Sequence, residues 1–88
     1  MEYSVLMTVY EKDNPEYFRK ALMSMVKQTK KADEIVVVKD GPITRELQSV
    51  LDDIDKKNPN LIVQVQLPVT KGLGLALNEG IKVCKNEL

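Results

Sequence analysis

The 88-residue sequence contains no histidine and a single cysteine, Cys84. The absence of histidine removes the commonest metal ligand and the commonest general base in enzymes. One cysteine cannot form an intrachain disulfide, which is typical of a protein from a reducing environment. Any chemistry of this chain must therefore depend on other residue types.

Net charge and long apolar runs are also missing. The 13 Lys and Arg residues balance the 13 Asp and Glu residues, so bulk attraction to nucleic acid or to an anionic membrane is not expected. The longest apolar runs, such as Ile35–Val38, are far too short to cross a bilayer. Residues 1–7 lack the basic start and apolar length of a signal peptide. These features predict a soluble cytoplasmic protein, and they leave open a longer parent that is membrane-associated.

Three β-prone segments are present, at Ser4–Val9, Glu34–Lys39 and Leu61–Leu67. The second contains four consecutive β-branched residues, which predicts a strand buried on both faces of a parallel sheet. The third alternates apolar residues with glutamine, which indicates a half-exposed strand near a sheet edge.

Helical patterns follow each of these segments. The first begins at the capping pair Asn14-Pro15 and runs to Gln28, and the second begins after Thr44 and ends near Asn58. The third is predicted to begin near Gly74. The residues expected to be buried on the three helices are Phe18, Leu22 and Met25, then Leu47, Val50, Leu51 and Ile54, then Leu77, Ile81, Cys84 and Leu88.

Strands that alternate with helices of this length imply parallel strands joined by right-handed crossovers. We therefore predict an α/β fold: a three-layer βαβαβα unit with a parallel sheet in the order 3-2-1. The first strand would lie at one edge, where its unpaired backbone groups could pair with a second copy. The pattern stops at a helix, so we expect residues 1–88 to be the first part of a larger fold.

Ligands of open α/β sheets bind beyond the carboxyl ends of the strands. The loops expected there are Tyr10–Asn14, Asp40–Ile43 and Pro68–Gly74. Their residue types suit a nucleoside. A tyrosine ring can stack on a base, a carboxylate can accept hydrogen bonds from a base or ribose, glycines let the backbone approach a ligand, and Lys71 could lie near a diphosphate.

Each of these residues also has a purely structural interpretation. Tyr10 could cover the sheet edge, Asp40-Gly41 could be an ordinary turn, and Gly72 and Gly74 could serve only the entry to a helix. The glycine loop is not a dinucleotide fingerprint, because position 77 is leucine. It is not a P-loop either, since no Gly-Lys-Ser/Thr follows.

Three motifs occur in order along the chain. The first strand followed by Tyr10-Glu11, together with the helix end Ser24-x-x-x-Gln28-Thr29, resembles the opening of family 2 glycosyltransferases. The second strand ends in Asp40-Gly41, which resembles the family's Asp-Gly. The matches in the last motif, Asn-x-Gly-x-x-x-Ala-x-Asn-x-Gly, are Gly72, Ala76, Asn78 and Gly80.

The resemblance implies the N-terminal, nucleotide-binding half of a GT-A nucleotide-diphospho-sugar fold. It implies that Tyr10, Glu11 and Asp40 line the base and ribose pocket, with Thr8 at its floor. It further implies that the loop at Gly72 closes one side of this pocket. Gly41 and Lys71 are also predicted to bind the nucleotide. Asn78 would tie its helix to neighbouring loops.

Several positions depart from the family pattern. Thr8 stands where proline is frequent, Lys39 replaces a frequent acidic residue, and Pro42 replaces a frequent serine. Thr70 and Leu77 replace the first Asn and a frequent Arg of the last motif.

No catalytic or metal-binding residue is predicted within the chain. The family's Asp-x-Asp, which holds Mn²⁺ or Mg²⁺ and the donor diphosphate, would lie beyond it, as would the carboxylate that acts as general base. Asp52-Asp53 lies in a predicted helix and is interpreted as solvated.

The function implied for the parent protein is sugar transfer with inversion, from a nucleotide-diphosphate donor such as a UDP-sugar to a hydroxyl acceptor. The acceptor would be a saccharide or a lipid-linked saccharide, as in polysaccharide biosynthesis. The 88 residues alone would supply the nucleoside-binding half and be inactive. The alternative is a non-catalytic, stand-alone α/β binding or interaction module.

Overall fold

The computed structural model describes residues 4–28 and 34–84. Thr29 and Leu88, to which the sequence patterns assigned roles, lie outside these ranges. The elements in chain order are β1 (Ser4–Val9), α1 (Pro15–Gln28), β2 (Glu34–Lys39), α2 (Arg45–Lys57), β3 (Ile62–Gln66) and α3 (Leu73–Val83). None of the helices within the described residues has the length and apolar character required to span a membrane.

The three strands form one parallel sheet in the order β1-β2-β3. This is the predicted 3-2-1 order, and it leaves β1 and β3 as the two edges. Val5 pairs with Ile35 and Val9 with Lys39, so β1 and β2 end at the same level. The loops that follow them therefore emerge side by side, as a parallel arrangement requires.

Side-chain caps fix the starts of the first two helices where the sequence predicted them. The Asn14 side chain accepts a hydrogen bond of 2.8 Å from the backbone N–H of Glu16. Thr44 has extended backbone geometry, and its hydroxyl accepts a bond of 3.2 Å from the N–H of Leu47. Each cap satisfies an N–H group that has no partner within its helix.

Helices cover both faces of the sheet, which gives the predicted three layers. The first face packs against α1 and α2 through a core of Val9, Phe18, Leu22, Ile35, Val37, Leu47, Val50, Leu51, Ile54 and Ile62. The second face is covered by α3 in a smaller core of Val36, Val38, Leu67 and Ala76. The strand β2 lies between both cores, and its residues 35–38 are fully buried, as the β-branched run predicted.

The predicted buried face of α3 was only partly right: Cys84 packs against the second core, but the most buried described residues of the helix are Ala76 and Gly80. Ala76 is fully buried and Gly80 is buried, whereas Ile81 is 49% exposed and Leu77 and Cys84 are only partly covered. A Cβ added at Gly80 would overlap Leu6 Cδ1 and would lie 2.7 Å from Val38 Cγ2. The helix approaches the sheet through its smallest residues, since a larger side chain has no room there.

Candidate functional site

The carboxyl ends of β1 and β2 and the loop after β3 surround a cavity of about 440 Å³. Its lining comprises Thr8, Tyr10, Asp13, Asp40, Thr70 and Gly72. Three separate chain segments contribute, and they meet because parallel strands end at one edge of the sheet. The cavity volume falls within the range of about 300–1,000 Å³ that is usual for small-molecule sites.

The carboxylate of Asp40 connects two of these segments. Its Oδ1 accepts a 2.7 Å hydrogen bond from the backbone N–H of Lys71, and its Oδ2 accepts a 3.1 Å bond from the N–H of Gly72. The Thr70 hydroxyl donates a 3.1 Å bond to the backbone carbonyl of Asp40. Asp40 is only 5% exposed, so these donors compensate a carboxylate that is almost removed from water.

Gly41 allows the two segments to come this close. Its φ is +84°, and a Cβ at this position would lie 2.5 Å from Thr70 Oγ1 and 2.7 Å from Thr70 N. The carbonyl of Gly41 accepts a 2.9 Å bond from the side chain of Gln66, which is the last residue of β3. Glycine is required here both by the left-handed backbone and by the contact with Thr70.

A β-turn positions Tyr10 on the other side of the cavity. The N–H of Asp13 donates to the carbonyl of Tyr10 at 3.0 Å, and Asp13 Oδ2 accepts from the N–H of Tyr10 at 3.0 Å. Both backbone groups of Tyr10 are thus satisfied by one residue. Tyr10 as a whole remains 40% exposed, so its flat ring is accessible to a ligand.

Four of the residues predicted for nucleotide binding line this cavity: Thr8, Tyr10, Asp40 and Gly72. The other three, Glu11, Gly41 and Lys71, are not part of the lining. Glu11 and the side chain of Lys71 are exposed, and Gly41 acts through the backbone contacts described above. Nucleotide binding by these residues stays a prediction.

Sequence reasoning missed two lining residues, Asp13 and Thr70. Asp13 lies within the loop at 10–14 that was expected near the site, and its spacing of three from Tyr10 is typical of a residue that closes a turn. Thr70 lies within the loop at 68–74 that was expected near the site, but it was singled out only for departing from a motif. Its contact with Gly41 connects residues 29 positions apart, and no local pattern encodes such a contact.

Lys39, which departs from the family pattern, lies away from the cavity. Its ammonium group donates to Gln48 Oε1 at 3.2 Å and to Gln64 Oε1 at 3.1 Å. Lys39 is the last residue of β2 and is not among the residues that line the cavity. The lysine at this position therefore contributes no side chain to the lining.

The role implied for Asn78 was wrong. Its side chain is exposed on α3, and among the described residues it makes no hydrogen bond. Asp52 and Asp53 also lie on the surface, as interpreted. Asp53 forms ion pairs with Arg19 at 3.3 Å and Lys57 at 3.4 Å, and the hydrogen bond from Arg19 is the main reason that the pKa of Asp53 lies below its usual value.

The chemistry of the cavity does not fit a divalent metal. Within residues 4–28 and 34–84, no three cysteine or carboxylate side chains are grouped closely enough to hold a metal ion. Both oxygens of Asp40 already accept backbone N–H groups.

The sequence profile described as "Glycosyl transferase family 2" matches residues 4–88. The chain belongs to this family. Membership accounts for the motifs at Asp40-Gly41 and at Gly72, and for the parallel βαβαβα arrangement that supports them. The fold corresponds to the N-terminal half of the GT-A fold.

Curated relatives agree with this assignment. An "Uncharacterized glycosyltransferase" of Haemophilus influenzae is 46% identical over 96% of this chain. Two relatives are 40% identical: the UDP-Gal:alpha-D-GlcNAc-diphosphoundecaprenol beta-1,3-galactosyltransferase of Escherichia coli, over 99% of the chain, and the amylovoran biosynthesis glycosyltransferase AmsE of Erwinia amylovora, over 98%. The chain spans only about a third of their lengths, 31% to 32%. No solved structure matches it significantly.

Proposed function

We propose that this chain binds the nucleoside part of a UDP-sugar in the cavity between Tyr10, Asp40 and Gly72. The whole protein would transfer the sugar to a hydroxyl group of a saccharide or lipid-linked saccharide. The observation that carries the proposal is the meeting of three family motifs at one cavity, at the carboxyl edge of a parallel sheet. A cytoplasmic location and a role in polysaccharide biosynthesis belong to the same proposal.

The chemistry of the lining supports a nucleoside in this place. The exposed ring of Tyr10 can stack on a base, and base stacking on an aromatic ring contributes about 1–3 kcal/mol. The hydroxyls of Thr8 and Thr70 can each donate or accept a hydrogen bond. The backbone at Gly72 has no side chain, so a ribose or phosphate can approach it closely.

The name of the Escherichia coli relative supports the choice of donor and acceptor, because it specifies UDP-Gal and a diphosphoundecaprenol-linked sugar. Transfer with inversion is a single displacement at the anomeric carbon. The acceptor hydroxyl attacks, a carboxylate removes its proton, and UDP leaves with the bonding electrons. A divalent cation would stabilise the leaving diphosphate in the whole protein. The described residues supply binding and orientation of the donor, and none of these chemical steps.

The proposal is tested by NMR titration of the 88-residue chain with UDP. Binding without the diphosphate contacts is expected to be weak, with a Kd on the order of 1 mM, and adding Mn²⁺ should improve it little. Shifted amides should cluster at the turn of Tyr10–Asp13, at Asp40-Gly41 and at Thr70–Gly72. Asp40→Ala should weaken binding further, because both anchors of the Lys71–Gly72 backbone would be lost.

The matched control is Asp53→Ala, which removes a carboxylate from the exposed surface of α2. It should bind UDP as the wild type does. Shifts confined to the outer surfaces of α1 and α2, or binding indifferent to Asp40→Ala, would place the ligand elsewhere. Strong Mn²⁺-dependent binding of UDP would contradict the proposal that this chain binds only the nucleoside and that the rest of the protein binds the metal and the diphosphate.

A further inference from the structure

The two carboxylates that line the cavity differ in their hydrogen bonding. Asp40 is almost fully buried, and each of its oxygens accepts a backbone N–H from the loop after β3. Its geometry is that of a residue that holds Lys71 and Gly72 in place. Asp13 is half-buried, and only its Oδ2 is engaged, by the N–H of Tyr10.

The second oxygen of Asp13 is available to a ligand. Across the residues that the structure describes, Oδ1 of Asp13 accepts no hydrogen bond, although the residue lines the 440 Å³ cavity. The carboxylate is held through Oδ2 by the bond from Tyr10 N, and the backbone of Asp13 is held by the bond from its own N–H to Tyr10 O. A charged acceptor fixed in this way requires little reorganisation to bind a hydrogen-bond donor.

We propose that Asp13 is a ligand-contacting residue that determines specificity, with Oδ1 accepting a hydrogen bond from an N–H or O–H of the nucleoside. Asp40 in addition positions the loop at 71–72 through its two accepted bonds. This inference rests on the proposed nucleotide binding and assigns the contact within that site. A carboxylate at this position repels phosphate, so the base or ribose lies beside Asp13, and the phosphates lie away from it.

The decisive variant is Asp13→Asn. Asparagine keeps one oxygen that can accept the Tyr10 N–H, and it replaces the free acceptor with an NH₂ donor of nearly the same size. Uridine is the appropriate probe, because it is neutral. With UDP, the loss of one negative charge would itself improve binding and mask the lost hydrogen bond.

The expected result is uridine binding about tenfold weaker in Asp13→Asn than in the wild type, measured by NMR titration. The amide resonances of Tyr10 in the free protein should stay in place, since the turn is retained. Asp53→Asn removes the same charge from the surface and should leave the Kd for uridine unchanged. Asp40→Asn should shift the amides of Lys71 and Gly72 without ligand, whereas Asp13→Asn should not.

Two analogues identify the group that Asp13 recognises. The 2′-deoxyuridine probe lacks a ribose hydroxyl, and 3-methyluridine lacks the base N–H. The wild type should bind one of these analogues about tenfold more weakly than it binds uridine. Asp13→Asn should bind that analogue and uridine with nearly the same affinity, because the contact is already lost. Equal losses in both proteins for both analogues would overturn the proposed contact.

The remaining outcomes distinguish failure of the Asp13 contact from failure of nucleotide binding itself. If the wild type binds uridine and Asp13→Asn binds it equally well, the inference is wrong and the proposed function stands. If the Tyr10 and Glu11 amides of Asp13→Asn show that the turn has opened, and both analogues lose equal affinity in both proteins, Asp13 acts only on the turn and the contact is disproved. If the wild type binds neither uridine nor UDP, the proposed function fails, and the inference fails with it.

Discussion

Two glycines of α3 provide a matched pair for testing how this helix packs on the sheet. Gly74 and Gly80 both lie within the helix, so replacing either by alanine should gain up to about 0.5–1 kcal/mol of helix stability. A Cβ at Gly74 would meet nothing within 4 Å. Gly74→Ala is therefore expected to stabilise the protein by about 0.5 kcal/mol, because the residue lies near the end of the helix.

A Cβ at Gly80, in contrast, would overlap Leu6 Cδ1 and approach Val38 Cγ2 to 2.7 Å. Leu6 is partly exposed and can change rotamer, but Val38 is fully buried and β-branched. Overpacking of this kind costs about 1–3 kcal/mol, which exceeds the gain in helix propensity. The net effect of Gly80→Ala should be a destabilisation of about 1 kcal/mol.

The assay is urea unfolding followed by circular dichroism, together with thermal melts. For a domain of this size, about 1 kcal/mol corresponds to a decrease in Tm of about 4–8 °C for Gly80→Ala, and Gly74→Ala should increase Tm slightly. Adding Leu6→Ala to Gly80→Ala should relieve only part of the overlap, because Val38 remains. Stabilisation by both glycine substitutions would refute the close approach of α3 to the sheet.

Three further predictions concern the loops, the thiol and the sheet edge. Gly41→Ala should destabilise the protein by about 3 kcal/mol, because alanine would be strained in the left-handed backbone conformation and its Cβ would collide with Thr70. It should also increase the rate of hydrogen exchange at the Lys71 amide, and an unchanged exchange rate would contradict this prediction. Burial raises the pKa of the Cys84 thiol, so less of the reactive thiolate is present at pH 8 in the folded chain than in urea, and alkylation of the folded chain should be slower. The difference in alkylation rate should shrink as the pH rises through the raised pKa. The open edge of β1 should cause concentration-dependent self-association in sedimentation experiments, and a monomer at every concentration would count against it.

The sequence by itself determined the elements and their order. The caps at Asn14 and Thr44 and the buried run at 35–38 depend on local backbone chemistry, and the structure confirmed them. The structure also confirmed the buried face that periodicity predicted for α2, but only part of the one predicted for α3. Parallel pairing followed from the alternation of strands and helices, because right-handed crossovers allow few other sheet topologies. The loops that surround the cavity were also predictable, since all three follow strands of one parallel sheet.

Only the tertiary structure decided which residues in those loops face the cavity and which hold the loops together. Glu11 and Lys71 have suitable chemistry but point to solvent, while Asp13 is turned inward by its bonds to Tyr10. The packed face of α3 was also beyond sequence reasoning, which favoured the larger residues around Ile81. The helix meets the sheet at Gly80 because only a residue without a side chain fits in this close contact. A pattern of apolar residues does not mark such a position, since glycine contributes no hydrophobic side chain to the pattern.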